Sequence, residues 1–89
     1  MVRIAFTDNL KKHIDCPASQ VDGATVREAL NAVFAANPSL RAYILDDQSR
    51  LRKHVTIFHN GAMIADRTTL DIPVSAVDEV YVFQALSGG

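Results

Sequence analysis

The chain has 89 residues, 48% of them hydrophobic and 21% charged, with a formal net charge of −1. That length makes one domain, 1–89, with a modest core, and this balance belongs to a folded chain rather than a disordered one. Near-neutral charge gives no pull toward nucleic acid or an anionic membrane, no apolar run reaches spanning length, and no basic-then-apolar leader is expected.

Val2-Arg3-Ile4-Ala5-Phe6 alternates and predicts a strand with Val2, Ile4 and Phe6 on one side. Thr7-Asp8-Asn9 supplies turn chemistry. A second strand is expected through His13–Cys16 toward Val21, broken or at a sheet edge because Pro17 cannot donate to a ladder. Thr25 and Glu28 have capping-box spacing, and Val26, Ala29, Leu30, Val33 and Phe34 recur at helical period. Asn37-Pro38 should end that helix. Leu40–Leu45 predicts a short second helix burying Leu40, Tyr43 and Ile44, followed by a polar loop at Asp46–Ser49.

His54–His59 reads as a strand closed by Asn60-Gly61, a pair suited to a type I′ hairpin turn, with Ala62–Ala65 as the return strand. Asp66–Ala76, containing Pro73, is a connector, and Glu79–Leu86 is the last strand. One main helix on a sheet of about five strands is an α+β roll.

Catalysis by these residues is not expected. His13, His54 and His59 are scattered, and no His-x-Glu or Cys-x-x-Cys spacing points to a metal. The single cysteine, Cys16, cannot staple the fold and reads as a small packed hydrophobe, so a reducing, cytoplasmic compartment is expected. The glycines form no phosphate-binding loop, so any nucleotide must come with a partner. Arg50-Leu51-Arg52-Lys53-His54 reads as a solvated loop edge, or else as a docking point for an acidic groove. If Val55, Ile57, Val80 and Val82 face the helix, Phe58, Tyr81 and Phe83 lie on the opposite face, as partner surface or under covering loops.

The last strand runs into Leu86-Ser87-Gly88-Gly89, and these four residues can extend roughly 13 Å, enough to thread a narrow cleft. Glycine suits that use because it lacks a Cβ and lets another backbone come close. Asp78-Glu79-Val80, the alternating strand and the Gly-Gly ending resemble the ubiquitin-like (MoaD/ThiS-like) sulfur-carrier family, as does Leu51–Gly61 with its Asn-Gly turn. The resemblance implies a β-grasp fold and a carrier rather than an enzyme. Gly89 would be adenylated by an E1-like enzyme using ATP and take sulfur from a persulfide protein. The resulting thiocarboxylate would pass sulfur to a downstream synthase in molybdopterin-type, cysteine or thiamin synthesis. It also implies that Gly88, Ser87 and Leu86 thread the partner's active site, and that Phe83 belongs to an apolar partner surface. Two other readings stand beside it: a protein modifier joined through Gly89 to target lysines, and a plain binding module with an incidental Gly-Gly. Ala76-Val77 stands where the family commonly has an Asp-Gly turn, and Gln84-Ala85 where prolines often stiffen the tail.

Overall fold

The computed structural model describes residues 1–7 and 18–84. Their elements are β1 (Val2–Phe6), β2 (Ser19–Val21), α1 (Val26–Ala36), α2 (Pro38–Ile44), β3 (Val55–His59), β4 (Ala62–Met63) and β5 (Glu79–Gln84). The strands form one sheet in the order β2-β1-β5-β3-β4. β1 and β5 pair in parallel, and every other pairing is antiparallel. This is the mixed sheet of the expected α+β roll, with the last strand of the chain at its centre.

Alternation along the strands decides what the helices cover. Val2, Ile4, Phe6, Val55, Ile57, Val80 and Val82 are all buried, and they meet Val26, Ala29, Leu30, Val33 and Phe34 of α1 in one core. Leu40 and Ile44, one helical turn apart on α2, close it at the side. Tyr43 was expected with them but is 38% exposed. A seven-residue helix beginning at Pro38 turns one narrow stripe inward, and Leu40 and Ile44 fill it.

The helix start follows its sequence signature. Thr25 Oγ1 accepts the Glu28 amide at 3.2 Å, while the Glu28 carboxylate accepts the Ala24 amide at 3.1 Å. The next free amides of the first turn are met from outside the helix. Val26 N–H donates to the Ile72 carbonyl at 3.0 Å and Arg27 N–H to the Leu70 carbonyl at 2.9 Å. The connector is thus tied across the head of α1. Asp66 organises it by accepting from the amides of Thr68, Thr69 and Asp71 and from the Thr69 hydroxyl at 2.6 Å. The Arg27 guanidinium locks it in place through the carbonyls of Thr68 (2.6 Å), Thr69 (3.2 Å) and Ser49 (2.7 Å). Leu70 pays for this path with a φ of +54° yet is fully buried, a left-handed conformation costing about 1–2 kcal/mol that its packing offsets.

Several boundaries differ from the sequence reading. β2 is Ser19–Val21, an edge strand as expected; the His13–Cys16 part of that expectation lies outside the described residues. The return strand is only Ala62–Met63; the next residue, Ile64, still donates its N–H to the Ile57 carbonyl of β3 at 3.0 Å while its side chain packs against the core. Asn60 and Gly61 have φ of 51° and 86°, the two positive values a type I′ turn requires.

Candidate functional site

β5 is held on both sides. Arg3, Ile4, Ala5 and Phe6 of β1 pair with Glu79, Val80, Tyr81 and Val82, and Val55–His59 of β3 pair with Gln84 back to Val80. With Val80 and Val82 in the core, Glu79, Tyr81 and Phe83 stand on the other face. Cross-strand partners share a face, so register lays out that surface: Ala5, Tyr81, Phe58 and Met63 form one row across β1, β5, β3 and β4. Phe83 sits opposite Thr56 and meets the Phe58 ring edge to face, with centroids 6.3 Å apart and planes at 78°.

Phe83 is 43% exposed and Met63 67%, while Phe58 and Tyr81 are half-buried. Phe58, Gly61, Glu79, Tyr81 and Phe83 line a shallow depression of about 330 Å³. The structure therefore brings the three sequence-predicted aromatics together. Met63 was not foreseen in this surface. The two-residue turn at Asn60-Gly61 carried the signal, since it forces position 58 to pair with 63.

The entry to β5 is fixed by Asp78. Its carboxylate accepts from the Ser75 amide (2.9 Å) and hydroxyl (3.0 Å) and from Asn60 Nδ2 (3.0 Å), and it lies 2.8 Å from His59 Nε2. These contacts, His59 foremost, hold the Asp78 carboxyl well below its ordinary 3.8. Asn60 Oδ1 then accepts the Glu79 amide at 2.8 Å. The Ser75–Asp78 turn, with Ala76-Val77 at its tip, is closed by Asp78 N–H on the Ser75 carbonyl at 3.0 Å. The unusual turn sequence is thus compensated by the side chain that follows it.

The exit from β5 is held by β1: Thr7 N–H donates to the Val82 carbonyl at 3.1 Å, and Gln84 N–H to Thr7 Oγ1 at 3.2 Å. From Gln84 the chain continues to Leu86, Ser87, Gly88 and Gly89, which lie outside the described residues, as do His13 and Cys16. His54 is exposed, and His59 serves the Asp78 network. The basic run is more structural than expected. Leu51 is buried, Arg50 pairs with Asp46 at 3.2 Å, and Arg52 Nε donates to the Ala42 carbonyl at 2.6 Å. Among the described residues no three His, Cys, Asp or Glu side chains converge as metal ligands, and no helix is long and apolar enough to cross a membrane.

Comparison with known proteins matches this geometry. The model of the ThiS family matches residues 14–89. Small archaeal modifier protein 1 of Haloferax volcanii is 37% identical over 70 residues, covering 78% of this chain and 76% of the relative. A crystal structure of that protein superposes with a TM-score of 0.82 and 28% identity, covering 99% of this chain and 98% of the other. The fold is equally close to a chain of the BexX/CysO complex of Amycolatopsis orientalis, with a TM-score of 0.82, 19% identity and full coverage of both chains. The α+β roll is therefore the ubiquitin-like β-grasp fold, and the chain belongs to the ThiS family of small ubiquitin-like carrier and modifier proteins, which are not themselves catalysts.

Proposed function

We propose that this chain carries sulfur on the carboxylate of Gly89. A carboxylate resists attack because its negative charge repels nucleophiles and oxide is a poor leaving group. An E1-like partner removes both obstacles by letting the carboxylate displace pyrophosphate from ATP, so that AMP becomes the leaving group. A persulfide sulfur then takes the place of AMP, and a thiol releases the product as a thiocarboxylate. That group is the nucleophile a downstream synthase would use. The chain supplies the tail and the docking face; the activating enzyme, the persulfide protein and the synthase supply the chemistry. ATP belongs to the activating partner.

One observation carries this reading: the family match runs through Gly88 and Gly89. It is supported by the placement of β5, which is anchored on both sides up to Gln84, five residues before Gly89. Phe83, Tyr81 and Phe58 then form the partner-binding surface beside the tail that Leu86, Ser87, Gly88 and Gly89 thread into the partner. The BexX/CysO complex shows that a protein of this fold engages a partner, which supports the same use here. A second reading has its own support. The 37% identical relative is named a modifier protein, which favours an isopeptide bond from Gly89 to target lysines. Both readings share the adenylation step and part at the acceptor.

The deciding experiment is the intact mass of the protein from its native host, without reductive or hydrolytic treatment. One sulfur in place of one oxygen at Gly89 establishes the carrier. Unmodified carboxylate, with Gly89 found on lysines of other proteins, establishes the modifier. Neither species, even with an E1-like enzyme and ATP supplied, would leave a binding module. A Gly88→Val variant, whose added side chain narrows the approach to the carboxylate, is expected to fold normally and lose adenylation in an ATP–pyrophosphate exchange assay. Normal adenylation of that variant would refute the threading of the tail.

A further inference from the structure

The depression on the aromatic face joins two unlike ends. Glu79, Tyr81 and Phe83 follow one another along the outward side of β5, with Phe58 opposite Tyr81 on β3. The Asn60-Gly61 turn lies beside Glu79, since Asn60 N–H donates to the Glu79 carbonyl at 2.9 Å. One end of the depression is therefore aromatic and the other is a carboxylate. Gly61 adds no side chain to the lining, and a Cβ there would have nothing within 4 Å, so the turn side stands open.

The Glu79 carboxylate is only partly engaged. Arg3 Nη1 donates to Oε2 at 2.6 Å from the β1 side, and Arg3 is not among the residues that line the depression. No described residue donates to Oε1. A carboxylate offers about four acceptor positions, so Arg3 occupies part of the group and leaves the rest. Both side chains are about half exposed, so solvent can serve those positions while the face is open. A partner that covers the face removes that solvent. Oε1 then needs a donor, because a buried acceptor left unpaired is costly.

The chemistry of the lining selects the donor. Ring faces carry partial negative charge, so an acidic side chain would be repelled by the rings and by Glu79 alike. A purely apolar side chain would strand Oε1. Arginine answers both ends: its planar guanidinium stacks on aromatic rings and donates to carboxylates, and its aliphatic stem covers apolar surface. A lysine ammonium is a strongly hydrated point charge and stacks less well.

We propose that this depression is a socket for an arginine side chain of the protein that docks on the aromatic face, with the guanidinium donating to Glu79 Oε1 and lying against the rings of Tyr81, Phe58 and Phe83. The socket rests on that face being the partner surface. Arg3 shares the carboxylate with the occupant, so removing Arg3 leaves the charge of the socket intact.

Two measurements test this, and they separate its failure from failure of the carrier reading. In the first, the amides of N-acetyl-arginine, N-acetyl-lysine and N-acetyl-leucine are titrated into the full chain and backbone shifts are followed by NMR. The arginine amide should bind most tightly, with shifts centred on Gly61, Glu79 and Tyr81, and Glu79→Gln should weaken it about fivefold while leaving the leucine amide unaffected. Equal or tighter binding of the lysine or leucine amide would overturn the socket, and so would shifts centred elsewhere.

The second compares Glu79→Gln with Arg3→Gln, which breaks the same ion pair from its other side, in ATP–pyrophosphate exchange with the host's adenylating enzyme. Glu79→Gln should raise KM about fivefold with kcat unchanged, whereas Arg3→Gln should keep KM at or below the wild-type value. An equal rise for both variants would mean that only the internal ion pair matters and would refute the socket, as would a wild-type KM for Glu79→Gln. Absence of exchange with the wild-type chain, alongside arginine-amide shifts at the depression, would refute the carrier reading and leave the socket in place.

Discussion

Gly23 shows how one atom governs the approach of the chain to its helix. A Cβ built there would lie 2.7 Å from the Ala29 nitrogen and 3.0 Å from the Ala29 Cα, both backbone atoms inside α1. Neither can move without displacing a helix whose other face is packed. Gly23→Ala should therefore cost about 1–3 kcal/mol, the usual range for overpacking, read as a lower urea midpoint at unchanged m-value. At a tolerant site the same change would stabilise by about 0.4–1 kcal/mol by restricting the unfolded chain, so even the sign of the shift decides the matter. Gly61 differs: nothing lies within 4 Å of its missing Cβ, and only its φ of +86° calls for glycine. The Asn-Gly pair announced the second case in the sequence. Nothing local announced the first, because the clash is with a residue that reaches Gly23 only once the helix has formed.

At the scale of elements, the local signals were readable and the long-range ties were not. Thr25 and Glu28 marked the start of α1, Asn37-Pro38 its end, and alternation assigned the buried face of each long strand. The Asp66 loop could not be read ahead of folding. Its hydrogen bonds are local, but its purpose is to offer the Leu70 and Ile72 carbonyls to a helix some forty residues earlier. The turn into β5 departs from the commoner Asp-Gly pattern, and Asp78 holds it through the Ser75 amide and hydroxyl. Because the folded state keeps the Asp78 carboxyl below 3.8, the unfolded chain binds the proton more readily as pH falls through that value. The contribution of Asp78 is thus complete above about pH 5 and drains away below about pH 4. Melting temperatures of the wild type and Asp78→Asn should differ most at pH 6–7 and converge toward pH 2–3. Parallel curves across that range would show that the network adds no pH-linked stability. Asp46 and Asp66 are lowered too, so the comparison between variants is what isolates Asp78.

Across the whole molecule, one strand divides two kinds of work. The inward side chains of β5, Val80 and Val82, are fully buried and hold the sheet to α1, while the outward ones, Tyr81 and Phe83, meet Phe58 on a face that no described element covers. Sequence alternation predicted that division; Met63 extends the face because the Asn60-Gly61 turn sets position 63 opposite 58, whereas the pairing of Phe58 with Tyr81 depends on register between strands far apart in the chain. The division makes stability and docking separable. Phe83→Ser removes a ring that is 43% exposed, so its cost to folding is limited to the contact with Phe58, about 0.5–1.5 kcal/mol, and the melting curve should stay cooperative. If the face docks the activating enzyme, the same change removes a central aromatic anchor and should raise KM in ATP–pyrophosphate exchange about tenfold or more. Val82→Ala supplies the contrast, since it opens the core and should lower the melting temperature while leaving KM of the remaining folded protein near the wild-type value. A Phe83→Ser variant that exchanges with wild-type KM would mean the aromatic face lies outside the contact, and the activating enzyme would then have to recognise the chain through some other part of its surface.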